Sequence, residues 1–310
     1  MVEGKNQWKA WLYLAPALIL LLIFTVWPIF NTLRIAFLED YGQLSELGGA
    51  TFKFGFGNFK QVIEYQKFLD CLKTTLILCV TTVPISTFLA LIIAVCLNSI
   101  GPLRRFLQTI FFLPYVTNTI AIGMVFAAMF NIVGTIDSTG TRIVTKGIVN
   151  NVIEFFGGHY INWINNNSTY THNMIVLIIY IVWNALPFKI LILLGGLQSV
   201  NKQYYDAAKI DGTSRIRTFW RITVPMLSPM IAYVVITGFI GGFKEYSSVV
   251  GIFGQVEAEQ GKLMTMVGYI YQSLGSNKEG RASAAALILF CIIMVVTLIN
   301  LYVSKKKVHY

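Results

Sequence analysis

Residues 203–229 read Q-Y-Y-D-A-A-K-I-D-G-T-S-R-I-R-T-F-W-R-I-T-V-P-M-L-S-P, a polar segment set between two apolar ones. The spacing predicts two short amphipathic helices on either side of Gly212. In the first, Tyr204, Ala207 and Ala208 share a face, and Lys202, Asp206 and Lys209 fall opposite at intervals of three and four. In the second, Ile216, Phe219, Trp220 and Val224 line one face and Arg217 and Arg221 the other. Gly212 suits the turn because it takes a positive φ without steric cost. Pro225 lacks a backbone donor and is expected to close the second helix.

Outside this segment the chain is dominated by apolar runs. Hydrophobic residues make up 55% and charged residues 12%, against about 25% charged in a soluble domain. Such a chain is an integral membrane protein. Six predicted spans cover residues 12–37, 72–97, 107–131, 173–197, 230–253 and 282–303, each long enough to cross a bilayer as a helix. Trp8 and Trp11 suit the interface before the first span, and Pro16 and Pro28 are expected to kink it. That run is too long for a signal peptide and lacks a small-residue cleavage site. Residues 132–172 are too polar to span. Within them Ile148, Val149, Val152, Ile153, Phe155 and Phe156 form an amphipathic patch ahead of Trp163, either a helix in the outer interface or a cap over the bundle.

The net charge of +10 raises the question of nucleic acid, but the basic residues lie in short loops beside apolar runs. Residues 1–11, 98–106, 198–228 and 304–310 hold 12 Lys or Arg in 58 positions, while the loops on the other side hold 8 in 103. Lysine and arginine accumulate on the cytoplasmic side. Both termini, the leader 1–11, the segment 203–229 and the basic tail 304–310 are therefore expected to be cytoplasmic, with no nucleic-acid partner. Cys71, Cys79, Cys96 and Cys291 sit in or beside apolar runs without C-x-x-C spacing and read as small apolar residues. The overlapping sequons at Asn166 and Asn167 would matter only in a source that glycosylates secreted segments; a bacterial source is expected instead.

Asp206-Ala207-Ala208, Asp211-Gly212 and Ile222-Thr223-Val224-Pro225 resemble the EAA loop of permease subunits of binding-protein-dependent ABC importers, E-A-A-x-x-D-G-A-(x)9-I-T-L-P, without a gap. Aspartate replaces the usual glutamate, Thr213 an alanine and Val224 a leucine. The resemblance implies an all-α integral membrane protein with the type I six-transmembrane-helix permease fold and cytoplasmic coupling helices. It further implies that Tyr205, Asp206, Ala207, Ala208, Asp211, Gly212, Phe219 and Pro225 form the element that docks on an ATPase. Asp206 would meet a basic residue of that partner's groove; the plainer reading is a surface acid paired locally with Lys202 or Lys209. No G-x-x-x-x-G-K-[S/T] occurs in the chain, so ATP and Mg are expected on the partner and no cofactor on this chain. The implied partners are a second permease, two copies of a cytoplasmic ATPase, an extracellular solute-binding protein and membrane lipid. The implied location is the bacterial plasma membrane.

Phe56-Gly57-Asn58-Phe59, Leu113-Pro114-Tyr115 and Trp183 with Pro187 make the chain similar to the sugar branch, among it the larger maltose-type permease. The resemblance then implies substrate contacts from Tyr115, Asn184, Ala185, Phe188, Gly238, Gly242 and Glu245, with Lys244 beside them. Aromatic faces with amide or carboxylate groups suit carbohydrate. Glycines stand where polar residues are expected, and an acid where an amide is expected, which argues against maltose itself. Lys189, Lys244 and Glu245 lie in or near spans, where charge is costly. Lys244 or Glu245 would contact a charged or hydroxylated substrate; alternatively these groups form a structural ion pair, or the lysines snorkel to the interface. Tyr115 and Phe188 also read as helix packing, and Asn184 as a bond between helices.

An ABC importer for a non-sugar solute and an ion-coupled carrier are the competing transporters. The carrier class is expected to show paired broken helices and internal repeats, and no repeat is evident at the residue level. An enzyme is disfavoured: His159, His172 and His309 lie in loops or at the end, without H-E-x-x-H or G-x-S-x-G.

Overall fold

A computed structural model describes residues 7–100, 104–136, 142–165, 168–254 and 263–307. Residues 1–6 of the leader, the sequon asparagines Asn166 and Asn167, and residues 308–310 of the tail lie outside the described residues. Among the described residues, four helices are long and apolar enough to cross a membrane: Trp8–Ala36, Gln66–Ser99, Tyr170–Ser199 and Glu279–Lys306. Two bent pairs, Phe106–Val116 with Thr119–Phe130 and Arg215–Met226 with Ser228–Phe243, bring the crossings to six when each pair counts as one.

The predicted third span is not one straight helix but turns by 99° after Val116. Thr117 Oγ1 donates to Pro114 O at 2.8 Å, and Asn118 Oδ1 accepts from Ile120 N at 2.9 Å and Ala121 N at 3.3 Å. These side chains end one helix and cap the next. The predicted fifth span, residues 230–253, is likewise two helices, Ser228–Phe243 and Ser247–Phe253. Its second piece crosses Thr119–Phe130 so closely that a Cβ on Gly123 would lie 2.8 Å from Gly251 Cα.

Pro225 does not close the second amphipathic helix. The chain runs from Arg215 through a π turn, Phe219–Thr223, into Val224–Met226. The first span does the same, with a π turn at Leu22–Val26 ahead of Pro28. A proline ring collides with the carbonyl four residues back. Here those carbonyls belong to Phe24 and Arg221, and both lie inside the widened turn. Val224 N bonds Phe219 O and Trp27 N bonds Leu22 O, five residues back in each case, so the helix absorbs proline by expanding locally.

The chain divides into two compact units. In one, formed by residues up to Leu69 with Tyr269–Phe290, the fully buried Asn58 donates to Ala36 O and Leu38 O and accepts from Asp40 N. It satisfies carbonyls left where the first span ends. The Gly57-Asn58-Phe59 motif is thus a local fastening of the backbone.

The other unit, Asp70–Gly268 with Cys291 onward, holds two separate apolar clusters. Leu78, Phe130, Met174, Leu177, Tyr180, Val249 and Ile252 belong to one. Ala90, Leu91, Ala94, Ile190, Leu193, Leu194, Leu227 and Val234 belong to the other. An unforeseen antiparallel hairpin, Ile132–Ile136 with Arg142–Lys146, precedes helix Ile148–Phe155. That helix is fastened by buried Asn150, which bonds both polar backbone groups of Ile161 and the Trp163 indole, while Phe155 and Phe156 remain exposed. Cys71 and Cys79 are buried; Cys96 and Cys291 are exposed.

Candidate functional site

Between the two apolar clusters the second, fourth and fifth spans carry polar or small residues. There the packing opens into a cavity of about 370 Å³. Thr82, Val83 and Ser86 line it from the second span, and Ile181 to Lys189 from the fourth, with Thr237 to Glu245 opposite and Tyr115 and Thr119 at the bend of the third. Its lining residues fall near the middle of helices Gln66–Ser99 and Tyr170–Ser199, and of its glycines Gly241 has open space where a Cβ would stand.

Tyr115, Asn184, Ala185, Phe188, Gly238, Gly242 and Glu245 all line this cavity. The rings of Tyr115 and Phe188 stack at 5.8 Å with an interplanar angle of 19°. Tyr115 is positioned by the bend, which Tyr180 secures by donating to Thr119 O at 2.5 Å. Asn184 makes no hydrogen bond to another described residue, so it is not an interhelical strut and its amide is left to the cavity. Gly242 also permits close helix contact, since a Cβ there would lie 2.9 Å from Cys79 Sγ. Glu245 sits in the break after Phe243, where one carboxylate oxygen accepts from Ser248 N at 3.0 Å.

Lys244 is exposed and does not line the cavity. Lys189 does; it does not snorkel, and it forms no ion pair with a described residue. It is 4% exposed, and its ammonium donates to Ser86 Oγ at 2.7 Å, Thr87 Oγ1 at 2.9 Å and Val83 O at 3.3 Å. The sequence signal for this was the run of hydroxyls Thr82, Ser86 and Thr87 at helical spacing on an apolar span.

In the segment 203–229, Asn201 caps helix Lys202–Ile210 and Ser214 caps Arg215–Thr218. Gly212 takes φ +64° between them, and Thr213 N closes the turn on Ala208 O at 2.9 Å. Of the predicted face Tyr204, Ala207 and Ala208, only Ala208 is buried; Tyr205 turns inward instead, 3.3 Å from Thr223 Oγ1. Phe219 packs on the apolar cluster around Leu227. Asp206 and Asp211 are exposed, and Asp206 pairs with Lys209 at 2.9 Å. Ile210, at 86% exposure, Ile216, Trp220 and Tyr204 leave an apolar edge uncovered among basic side chains.

A helical bundle with a cavity among its spans and a capped two-helix loop is the arrangement expected of a permease. The chain matches the family of binding-protein-dependent transport system inner membrane components over residues 68–309 and belongs to it. It is 29% identical to the arabinooligosaccharides transport system permease protein AraP of Bacillus subtilis (strain 168), over 95% of this chain and 88% of that protein. It is 28% identical to the lactose transport system permease protein LacF of Rhizobium radiobacter, over 96% of this chain and 95% of that protein. Its fold matches a bacterial alginate ABC transporter, solved in complex with an alginate pentasaccharide-bound periplasmic protein, with a TM-score of 0.78. The two are 21% identical, with 97% of this chain and 96% of that chain covered. The protein is thus an inner-membrane permease component of type I fold.

Proposed function

We propose that this chain is one permease half of an ATP-driven importer that carries a sugar or oligosaccharide through the mid-span cavity into the cytoplasm. The observation that carries this reading is the cavity itself: stacked Tyr115 and Phe188, an unengaged Asn184 amide and the Glu245 carboxylate converge on one space. Aromatic faces take the apolar faces of pyranose rings, and the amide and carboxylate take their hydroxyls. The relatives named for arabinooligosaccharides and lactose support the same class of substrate.

The segment 203–229 docks on a cytoplasmic ATPase. Asp206, Ala207, Asp211 and the exposed apolar edge face the partner, while Tyr205, Ala208, Gly212, Phe219 and Pro225 hold the two helices in place. Asp206 exchanges its local Lys209 for a basic residue of the partner, at little cost because exposed ion pairs are weak. ATP and Mg are bound there, and two ATPase copies, a second permease and an extracellular binding protein complete the assembly. The transmembrane domain covers residues 12–303, and both termini are cytoplasmic, consistent with the concentration of basic residues in that set of loops.

Affinity purification of this chain from its own membrane, with mass spectrometry of the companions, tests the reading. An ATPase and a second six-span permease are expected, and Asp206→Arg is expected to release the ATPase. Recovery of this chain alone, without ATPase activity, would overturn it.

A further inference from the structure

Lys189 is a buried ammonium whose partners are all neutral oxygens, and no carboxylate among the described residues lies within ion-pairing distance of it. A cation held this way inside a membrane span is unfavourable unless something else brings the opposite charge. Its hydroxyl partners are themselves spent on the backbone, Ser86 donating to Thr82 O at 2.5 Å and Thr87 to Val83 O at 2.7 Å. The ammonium is therefore oriented by the second span yet has no counter-charge among the described residues.

Two further observations direct that charge toward the cavity. Gly238 lines the cavity opposite, and a Cβ there would stand 3.2 Å from Lys189 Nζ and 3.1 Å from Val83 Cγ1, so the ammonium lies against a bare glycine and not behind a side chain on that wall. The bond to Val83 O, at 3.3 Å, is the longest of the three and exceeds the usual N–H···O range. An incoming anion would replace it at least cost, because Val83 O keeps its bond from Thr87.

We propose that the cavity selects a saccharide bearing one anionic group, a carboxylate or a phosphate, and that Lys189 is the residue that selects it. The proposal rests on the reading of the cavity as a saccharide site. Glu245 lies seven residues beyond Gly238, past the end of helix Ser228–Phe243, and keeps one carboxylate oxygen free of described partners. The anion thus sits toward the segment 203–229, and a hydroxylated ring reaches Glu245 at the other end. Placement of the two charges at opposite ends fixes the orientation as well as the class of substrate.

The test uses the intact complex in nanodiscs and saturation-transfer NMR. The probes are α- and β-linked neutral disaccharides, each with its hexuronate counterpart and its counterpart phosphorylated on a primary hydroxyl. At least one anionic series is expected to bind about tenfold tighter than its neutral parent, a difference of about 1.4 kcal/mol. The favoured series tells carboxylate from phosphate. Lys189→Met is expected to erase that preference, so that each anionic probe binds no tighter than its neutral parent. Gly238→Ala, which keeps the charge but crowds it, is expected to reduce it. Equal binding of neutral and anionic probes to the wild type, or a preference that survives Lys189→Met, would overturn the proposal and leave the saccharide site standing. Failure of every probe to bind would overturn both.

Discussion

Glu245→Gln separates what this side chain does in the cavity from what it does for the backbone. Glutamine keeps an oxygen that accepts from Ser248 N, so the break after Phe243 and the melting temperature are expected to be unchanged. The loss of charge is expected to shift the uptake KM or the substrate preference; an unaltered uptake profile would remove Glu245 from the site. Tyr115→Ala removes one ring of the stacked pair, worth about 0.5–1.5 kcal/mol beyond burial. Saccharide binding is expected to weaken about three- to tenfold in the NMR assay, with ATPase co-purification unaffected. Equal binding by the variant would make Tyr115 a packing residue. Seven of the fifteen lining residues were legible because motif spacing carried them onto three spans, while the wall from the second span was not. Lys189 was not read correctly, because a lysine's partners across helices leave no local trace: the hydroxyls it bonds lie about a hundred positions earlier in the chain.

Bends separate the helices as folded from the spans as predicted. Hydropathy sees a continuous apolar run through Thr117-Asn118 and through Lys244-Glu245-Tyr246, but hydrogen bonds decide where a helix stops. Asn118 supplies the cap at the first break and Glu245 bonds across the second. Asn118→Ala is expected to lower stability by about 1 kcal/mol through loss of that cap, read as a lower melting temperature of the purified complex; an unchanged value would mean that Tyr180 and Thr117 hold the bend alone. The loop turn was readable because only its glycine is favoured at φ +64°. Gly212→Val is expected to cost about 1–2 kcal/mol locally and to weaken ATPase co-purification while saccharide binding persists. Pro225 misled because a lone proline in a sequence looks like a stop, and the π turn that accommodates it depends on geometry that pattern reading does not include. The hairpin at Ile132–Ile136 and Arg142–Lys146 was missed although both strands are rich in β-branched residues.

For the molecule as a whole, two separate features bear on one mechanism: a cavity halfway along the spans and a rigidly capped loop at the end of the fourth. The permease family and the fold connect them to binding-protein-dependent transport. The direct measurement is saccharide uptake into liposomes holding the whole complex, with binding protein outside and nucleotide varied inside. Uptake is predicted to require internal ATP, to be unaffected by collapse of the proton and sodium gradients, and to stop in Asp206→Arg while saccharide binding remains. Uptake that continues without ATP, follows an ion gradient or ignores Asp206→Arg would contradict the importer account and favour an ion-coupled carrier.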